Sequence, residues 1–237
     1  MRSYGQIQQI KSRVQEPYSK KEFLSTEEVN HCIEIFELAS NINCPYSGVI
    51  QKNTGPLTLN LDTFNDSVIN RIMVRLKEEL GEFHITAGFF FKTDFPHVIH
   101  NDDTFELPNG VYKGITLPLK IFGQYAEYPK LCFFDQFYFH GPAKFFNGSK
   151  NIPTYYNKQI YEYSDVEGLV DSVFFDKNNY FTHLLPQWLE GLSLNTVLDW
   201  IPGDALIFDS TRLHCASDFR QLGIKAKLAI SIFTKLY

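Results

Sequence analysis

Two histidines and one aspartate are the residues of this chain best suited to bind a metal. One residue stands between His100 and Asp102, and His214 follows far downstream. Residues i and i+2 of a strand point to the same side, so His100 and Asp102 would offer a nitrogen and an oxygen to one point. Two imidazoles and one carboxylate hold non-haem Fe(II) and leave coordination positions open for reactants. The three residues therefore predict an iron site with room for chemistry.

The order of the surrounding segments supports this site more than the His-X-Asp spacing does. With seven histidines and 27 acidic residues in 237, about 0.8 such pairs are expected by chance. Here, however, a strand pattern leads to the pair, and a Pro-Gly-Asp turn at 202–204, another strand, His214 and a strand containing Lys227 follow. This succession favours a metal site built on a β-rich scaffold.

The elements that must position these residues are mostly strands. Runs of β-branched and aromatic residues bounded by Gly, Pro, Asn and Asp indicate strands. They occur at 84–91, 114–122, 129–139, 197–200, 205–209 and 227–233. Many strands after few helices predict a mainly β fold with flanking α-helices, a jelly roll of two sheets with the N-terminal helices packed on one of them.

Two helices are predicted before the strands. Ser25 and Glu28 form a capping-box pattern, followed by apolar residues at helical spacing. A second amphipathic helix begins near Asp66 and ends at Gly81. The residues before them, 1–21, are expected to form a flexible or loosely docked lead-in.

The chain is expected to form one domain, 1–237, with 1–82 as helical support and 83–237 as the jelly-roll core. Within the core, 141–195 is an insertion rich in Tyr and Phe, with a short helix near 187–189. Long insertions are often lids or binding loops. Extra packing is the equal alternative.

Composition excludes some classes of function. The formal charge of −5 argues against non-specific nucleic-acid binding, which depends on phosphate neutralisation by Lys and Arg. There is no signal-peptide pattern and no apolar run long enough to span a membrane. The four cysteines are expected to be free thiols in a reducing compartment. A soluble cytoplasmic protein is the expectation, and its oligomeric state is open.

The chain resembles the Fe(II)/2-oxoglutarate dioxygenase superfamily and, within it, the phytanoyl-CoA hydroxylase-like branch. The resemblance covers about 83–237 and is most specific from Trp200 through His214 to Lys227. It implies a double-stranded β-helix with Fe(II) held by His100, Asp102 and His214. It also implies 2-oxoglutarate and O2 as co-substrates, and a basic residue beyond the distal histidine that pairs with the far carboxylate of 2-oxoglutarate.

Lys227 is the preferred partner of that carboxylate. The commonest pattern of the family has arginine there and often serine two residues later, whereas this chain has lysine followed by Ala229. Lysine provides a point charge where arginine provides a planar fork, so the carboxylate needs another donor. Tyr112 and Thr116 are candidates for it. Lys225 is a rival for Lys227 itself.

The substrate is not identified by the sequence. Arg220 and Arg212, together with aromatic residues between 155 and 181, could bind a small polar molecule, a protein side chain or a nucleotide. His97 is expected to be structural or to support the ligands. Arg220 is also a weaker candidate for the 2-oxoglutarate anchor.

The activity that the resemblance implies is an oxidation, predicted to be a hydroxylation, with release of succinate and CO2. One alternative is a cupin-type metalloenzyme, although its usual His-X-His with a following Glu is absent here. The other is a non-catalytic β-sandwich that binds a ligand or carbohydrate through its aromatic segment.

Overall fold

The computed structural model describes residues 2–40, 49–50, 57–59, 61, 64–104, 107, 110–145 and 178–236. In these residues the helices are α1 (Tyr4–Lys11), α2 (Thr26–Ala39) and α3 (Ser67–Leu80). The strands are β1 (Tyr18–Lys20), β2 (Val49–Ile50), β3 (Leu57–Leu59), β4 (His84–Thr93), β5 (Lys113–Gly123), β6 (Lys130–Phe137), β7 (Leu194–Asp199), β8 (Ala205–Asp209), β9 (Arg212–Ala216) and β10 (Ile224–Lys235). Two short 3-10 turns span Pro186–Trp188 and Phe219–Leu222.

The strands form two antiparallel sheets. The large sheet has the order β1-β8-β5-β10-β4-β3-β2, and the small sheet has the order β7-β6-β9. Side chains from both sheets line a common cavity, so the sheets face each other across it. The predicted mainly β jelly roll, with helices packed on one sheet, is confirmed.

Strand β10 shows how the sequence separates the core from the cavity. Leu228, Ile230 and Ile232 are buried against the hydrophobic core shared with α2 and α3. The alternate residues Lys227 and Ser231 line the cavity. Because successive side chains of a strand point to opposite faces, one strand supplies both the packing against the helices and the cavity wall.

The two predicted helices are confirmed, and their ends follow from local chemistry. The Ser25 hydroxyl accepts a hydrogen bond from the Glu28 N–H, and the Glu28 carboxylate accepts one from the Ser25 N–H. Asp66 caps α3 by accepting from two backbone N–H groups. Gly81 follows α3 with a φ of 78°, a conformation that glycine adopts without steric cost.

Six strands were predicted, and all six are present as β4 to β8 and β10, with ends shifted by a few residues. The prediction omitted β9, which carries His214. All five residues of β9 are buried, so its sequence lacks the alternation of polar and apolar residues that marks a half-exposed strand. The short strands β2 and β3 extend the large sheet at one edge and were also not predicted.

The N-terminal residues differ from the predicted loose lead-in. Ser3 caps α1 with a complete capping box, and β1 pairs with β8 at the edge of the large sheet. The segment is therefore part of the fold. Its contacts include residues 59 to 196 positions away, which a local pattern cannot reveal.

Part of the predicted insertion, residues 146–177, lies outside the described residues. In the described remainder, Phe181, Leu184, Leu189 and Leu192 pack with the apolar residues of the small sheet. The predicted short helix near 187–189 corresponds to the 3-10 turn Pro186–Trp188. These described residues therefore add to the packing of the small sheet.

Of the cysteines, Cys32, Cys132 and Cys215 are buried free thiols, as predicted, and Cys44 lies outside the described residues. A search of the described helices finds none with the length and hydropathy needed to cross a membrane.

Candidate metal centre

The structure brings the three predicted ligands together. One ligand atom from each of His100, Asp102 and His214 lies within 4.8 Å of the others. His100 Nε2 is 3.6 Å from Asp102 Oδ1, and His214 Nε2 is 3.5 Å from Asp102 Oδ2. Two nitrogens and one oxygen thus converge on one point, as a facial triad requires.

Backbone hydrogen bonds place the three residues side by side. The His100 N–H donates to the His214 carbonyl oxygen over 2.9 Å, and the His214 N–H donates to the His100 carbonyl oxygen over 2.8 Å. The Asp102 N–H donates to the Ser210 carbonyl oxygen over 2.8 Å. His100 lies in an isolated β-bridge, and Asp102 lies in the loop after it. The expected common strand is therefore replaced by one bridge and one loop contact.

Both imidazoles are held with Nε2 available to a metal. His100 Nδ1 is 2.7 Å from the Val98 carbonyl oxygen, and His214 Nδ1 is 3.0 Å from the Arg212 carbonyl oxygen. A carbonyl oxygen can only accept, so each Nδ1 carries the hydrogen and each Nε2 keeps its lone pair. Burial lowers the pKa of His100 well below its usual range, and the neighbouring His214 lowers it further. The neutral ring that a metal ligand requires is the form this site favours.

Asn101, between the two ligands, anchors the loop. Its Nδ2 donates to the carbonyl oxygens of Tyr138 and Gly141 over 3.1 and 2.9 Å. Its Oδ1 accepts from the Ala143 N–H over 2.6 Å. The middle residue of His-X-Asp therefore ties the ligands to the backbone of residues 138–143.

The triad lies on the wall of a cavity of about 580 Å³. This volume is in the usual range of small-molecule sites. The lining is mainly apolar and includes Ile85, Ala87, Phe89, Phe91, Thr93, His97, Thr116, Leu131, Lys144, Trp200, Phe208, Lys227, Ala229, Ser231, Phe233 and Lys235.

Lys227 reaches this cavity as a buried cation. Its Nζ lies 4.9 Å from the Trp200 ring centre and 4.8 Å from that of Phe219. Burial lowers its pKa to about 7. None of the carboxylates in the described part of the chain pairs with it, so the site is suited to an incoming anion. Thr116, one of the predicted additional donors, lines the same cavity.

The structure places the other two candidates for binding 2-oxoglutarate elsewhere. Lys225 is exposed, because the pairing of β10 with β5 shifts between Ile224 and Ala226. Such a bulge breaks the alternation that would have put Lys225 on the side of Lys227. Tyr112 packs against the outer core, beneath the Arg13 guanidinium, and is not part of the cavity lining.

The two arginines expected near the substrate are not part of the described cavity wall. Arg212 is buried, with Nη2 3.0 Å from Glu16 and Nη1 donating to the Phe134 carbonyl oxygen. Arg220 is half-exposed and pairs with Asp218 at 3.0 Å. Arg212 serves the site only through its carbonyl oxygen, which holds His214.

His97 occupies an aromatic position beside the triad. Its ring stacks on Phe95 and meets the edge of Phe91, and its centre is 5.3 Å from that of His100. Burial lowers its pKa to about 3, and nearby cations add to this. A neutral ring in this place supports the His100 imidazole by packing.

The sequence did not indicate which aromatic residues form the cavity wall. Phe89, Phe91 and Phe233 face the cavity, whereas Phe90 belongs to the outer core. The Phe89–Phe90–Phe91 run looks uniformly apolar in sequence. Only the alternation along β4, once the strand is known to be buried on both faces, assigns each ring to its side.

Comparisons with known proteins bear on the fold. No protein-family model and no curated protein sequence matches the chain. Among solved structures, EctD from S. alaskensis is 11% identical over 99% of this chain and 77% of its own, with a TM-score of 0.50. The chain has the double-stranded β-helix fold.

Two further solved structures are similar at lower TM-scores. The alpha-ketoglutarate-dependent epimerase SnoN from nogalamycin biosynthesis is 12% identical over 99% of this chain and 84% of its own, with a TM-score of 0.49. HygX from Streptomyces hygroscopicus, solved with iron bound, is 11% identical over 100% of this chain and 87% of its own, with a TM-score of 0.47.

Proposed function

We propose that this protein is an Fe(II)- and 2-oxoglutarate-dependent oxygenase. The observation that carries the proposal is a pair of features in one cavity. Ligand atoms of His100, Asp102 and His214 converge on its wall, and the buried cation Lys227 lies in the same cavity. 2-Oxoglutarate is a dianion. The metal would bind one end of it, and the positive charge of Lys227 would bind the carboxylate at the other end.

The residues present fit Fe(II). His100, Asp102 and His214 would hold it, and three protein ligands leave the remaining positions for co-substrates. Bound there, Fe(II) supplies the activation of O2 that couples decarboxylation of 2-oxoglutarate to oxidation of a substrate C–H bond. The carbonyl oxygens of Val98 and Arg212 keep both imidazole rings in the tautomer whose Nε2 lone pair can bind a metal.

Lys227 would bind the far carboxylate of 2-oxoglutarate. Trp200 and Phe219 exclude water from its ammonium group, which strengthens the attraction between opposite charges. Thr93, opposite Lys227 in the sheet, donates its hydroxyl hydrogen to the Phe95 carbonyl oxygen. Thr116 is therefore the better second donor.

The cavity wall favours a substrate with an apolar body. Phe89 packs on Phe91 and Phe233 with ring centres 6.3 and 5.6 Å apart, and Ile85 and Ala87 continue this wall. Flat apolar groups pack well against such rings. We propose hydroxylation of such a molecule as the outcome.

The first test is succinate formation from 2-oxoglutarate with Fe(II), ascorbate and O2. We expect succinate from the wild type and none above background from Asp102→Ala. Asp135→Ala, which changes an exposed aspartate of the small sheet, is the matched control and should retain full turnover. Full activity of Asp102→Ala would contradict the triad.

Calorimetry distinguishes the alternatives. Binding of 2-oxoglutarate only to the metal-loaded protein supports the oxygenase. Metal uptake without 2-oxoglutarate binding favours the cupin-type metalloenzyme, and no metal uptake favours the non-catalytic binding module.

A further inference from the structure

Arg2, in the N-terminal segment, contacts residues that follow the metal ligand Asp102 in the chain. Arg2 Nη1 donates to the Asp103 carboxylate and, over 2.8 Å, to the Phe139 carbonyl oxygen. Arg2 Nη2 donates to Asp103 Oδ1 at 2.9 Å and to the carbonyl oxygens of Thr104 and Leu107 at 2.9 and 3.2 Å. The Arg2 side chain is 6% exposed and that of Asp103 is fully buried.

The Asp103 carboxylate also binds backbone N–H groups of nearby residues. Its Oδ1 also accepts from the N–H groups of Thr104 and Val111 over 2.8 and 3.1 Å. Gly110, with a φ of 70°, lies so close that a Cβ there would be 3.2 Å from both Arg2 Nη2 and Asp103 Oδ1. Asp103, Thr104, Leu107, Gly110 and Val111 thus all lie close to one ion pair.

Without Arg2 this arrangement loses the five hydrogen bonds that the guanidinium group donates. The buried Asp103 carboxylate would lose its counter-charge, and the carbonyl oxygens of Thr104 and Leu107 would lose their Arg2 contacts. Buried groups of this kind are costly to leave unpaired, so the loop would rearrange to reach water. Asp102 precedes Asp103 directly, and its N–H donates to the Ser210 carbonyl oxygen. A movement of Asp103 therefore changes the direction of the Asp102 carboxylate.

We propose that Arg2 is a positioning residue for the metal ligand Asp102, so that the N-terminal segment completes the metal centre. The inference rests on the proposed metal site. Loss of groups that orient metal ligands typically weakens metal binding by about 10- to 100-fold. We expect a weakening of this size for Arg2→Ala.

The experiment is a titration of metal-free protein with Co(II), followed by its visible absorption, with wild type, Arg2→Ala and Arg2→Lys. Lys20→Ala is the control, because Lys20 belongs to the same N-terminal segment but makes an exposed ion pair with Glu79. All titrations are run at a temperature at which circular dichroism shows each metal-free protein to be folded. We expect Lys20→Ala to match the wild type within about twofold.

Arg2→Lys should lie between the wild type and Arg2→Ala, since an ammonium restores the charge but not the planar set of donors. The shape of the Co(II) bands should also change in Arg2→Ala, because the carboxylate ligand is displaced, which a loss of stability alone would not produce. Should Arg2→Ala fail to fold, Arg2→Lys and Asp103→Asn carry the test.

Arg2 variants that bind Co(II) as tightly as the wild type, with unchanged bands, would overturn the inference and leave the proposed function standing. A wild type that binds no Co(II) would overturn the metal site and the inference with it.

Discussion

Burial of Lys227 disfavours the positive charge of its side chain. Its ammonium lies between the Trp200 and Phe219 rings, and cation–π contacts of this kind compensate only part of the lost hydration. A carboxylate entering the cavity would remove this imbalance. The residue is thus prepared for an anionic ligand, which gives two predictions.

The first concerns the lysine that binds the co-substrate. Lys227→Met should weaken 2-oxoglutarate binding by about 10- to 100-fold, since a hydrogen bond to a charged group contributes about 1.5–3 kcal/mol. Lys225→Met, two residues away and exposed, is the matched control and should change the affinity by less than about twofold. Calorimetry on the metal-loaded proteins measures both. The reverse ranking would assign the anchor to Lys225.

The second concerns pH. Burial lowers the pKa of Lys227 to about 7 in the free protein, and a bound carboxylate raises it because it stabilises the ammonium form. Binding above pH 7 therefore takes up a proton, and the affinity for 2-oxoglutarate should be highest below pH 7. It should fall by about tenfold per pH unit between about pH 8 and 9.

Lys227→Arg is the control for this pH dependence, because arginine stays protonated throughout the range. Its affinity for 2-oxoglutarate should change little between pH 7 and 9. An equal slope in Lys227→Arg would show that a different group titrates.

Among the secondary-structure elements, β5 makes room for the metal ligand. A Cβ at Gly114 would lie 2.6 Å from the Phe208 ring and 3.1 Å from Asp102 Oδ2. The absence of a side chain there lets the Asp102 carboxylate and the Phe208 ring approach the sheet. The positions of the Asp102 carboxylate and of the Phe208 ring therefore depend on a glycine in β5.

Gly114→Ala should push Phe208 and the Asp102 carboxylate out of place. We expect the free energy of unfolding to fall by about 1–3 kcal/mol, as for other overpacked sites, and Co(II) affinity to fall as well. Gly5→Ala is the control, since nothing lies within 4 Å of a Cβ at that helical position. Chemical denaturation and Co(II) titration measure the two effects. Unchanged Co(II) affinity would show that Asp102 does not depend on this space.

At the level of the whole molecule, one buried ion pair joins three distant segments. Lys113 Nζ in β5 lies 2.9 Å from Asp209 Oδ1 in β8, and both side chains are less than 5% exposed. The other carboxylate oxygen of Asp209 accepts from the Gln15 N–H of the N-terminal segment. This pair ties the sheet to the segment that also provides Arg2.

Asp209→Ala should leave the Lys113 cation buried without its counter-charge. Removing one partner of a buried pair costs about 3–5 kcal/mol. Asp199→Ala removes the partner of Lys130 at a carboxylate that is 44% exposed, and it should cost at most about 1 kcal/mol. Urea denaturation of the metal-free proteins gives both values. Equal costs would mean that Lys113 finds another partner.

Features that depend on neighbouring residues could be predicted from the amino-acid sequence. Ser25 with Glu28 and Asp66 before α3 are local hydrogen-bonding patterns, and the alternation of Leu228, Ile230 and Ile232 in β10 follows the strand period. The three metal-ligand candidates also came from sequence, because a His-X-Asp pair and a distal histidine were set within a recognisable succession of strands.

Features that depend on strand register and on contacts between distant residues required the three-dimensional structure. A bulge in β10 turned Lys225 outward and left Lys227 in the cavity, and packing placed Arg212 against Glu16 rather than beside a substrate. Arg2 meets Asp103 across about a hundred positions of sequence. Such pairings are set by how the sheets and segments pack, since no local propensity specifies which distant side chain fills a given buried space.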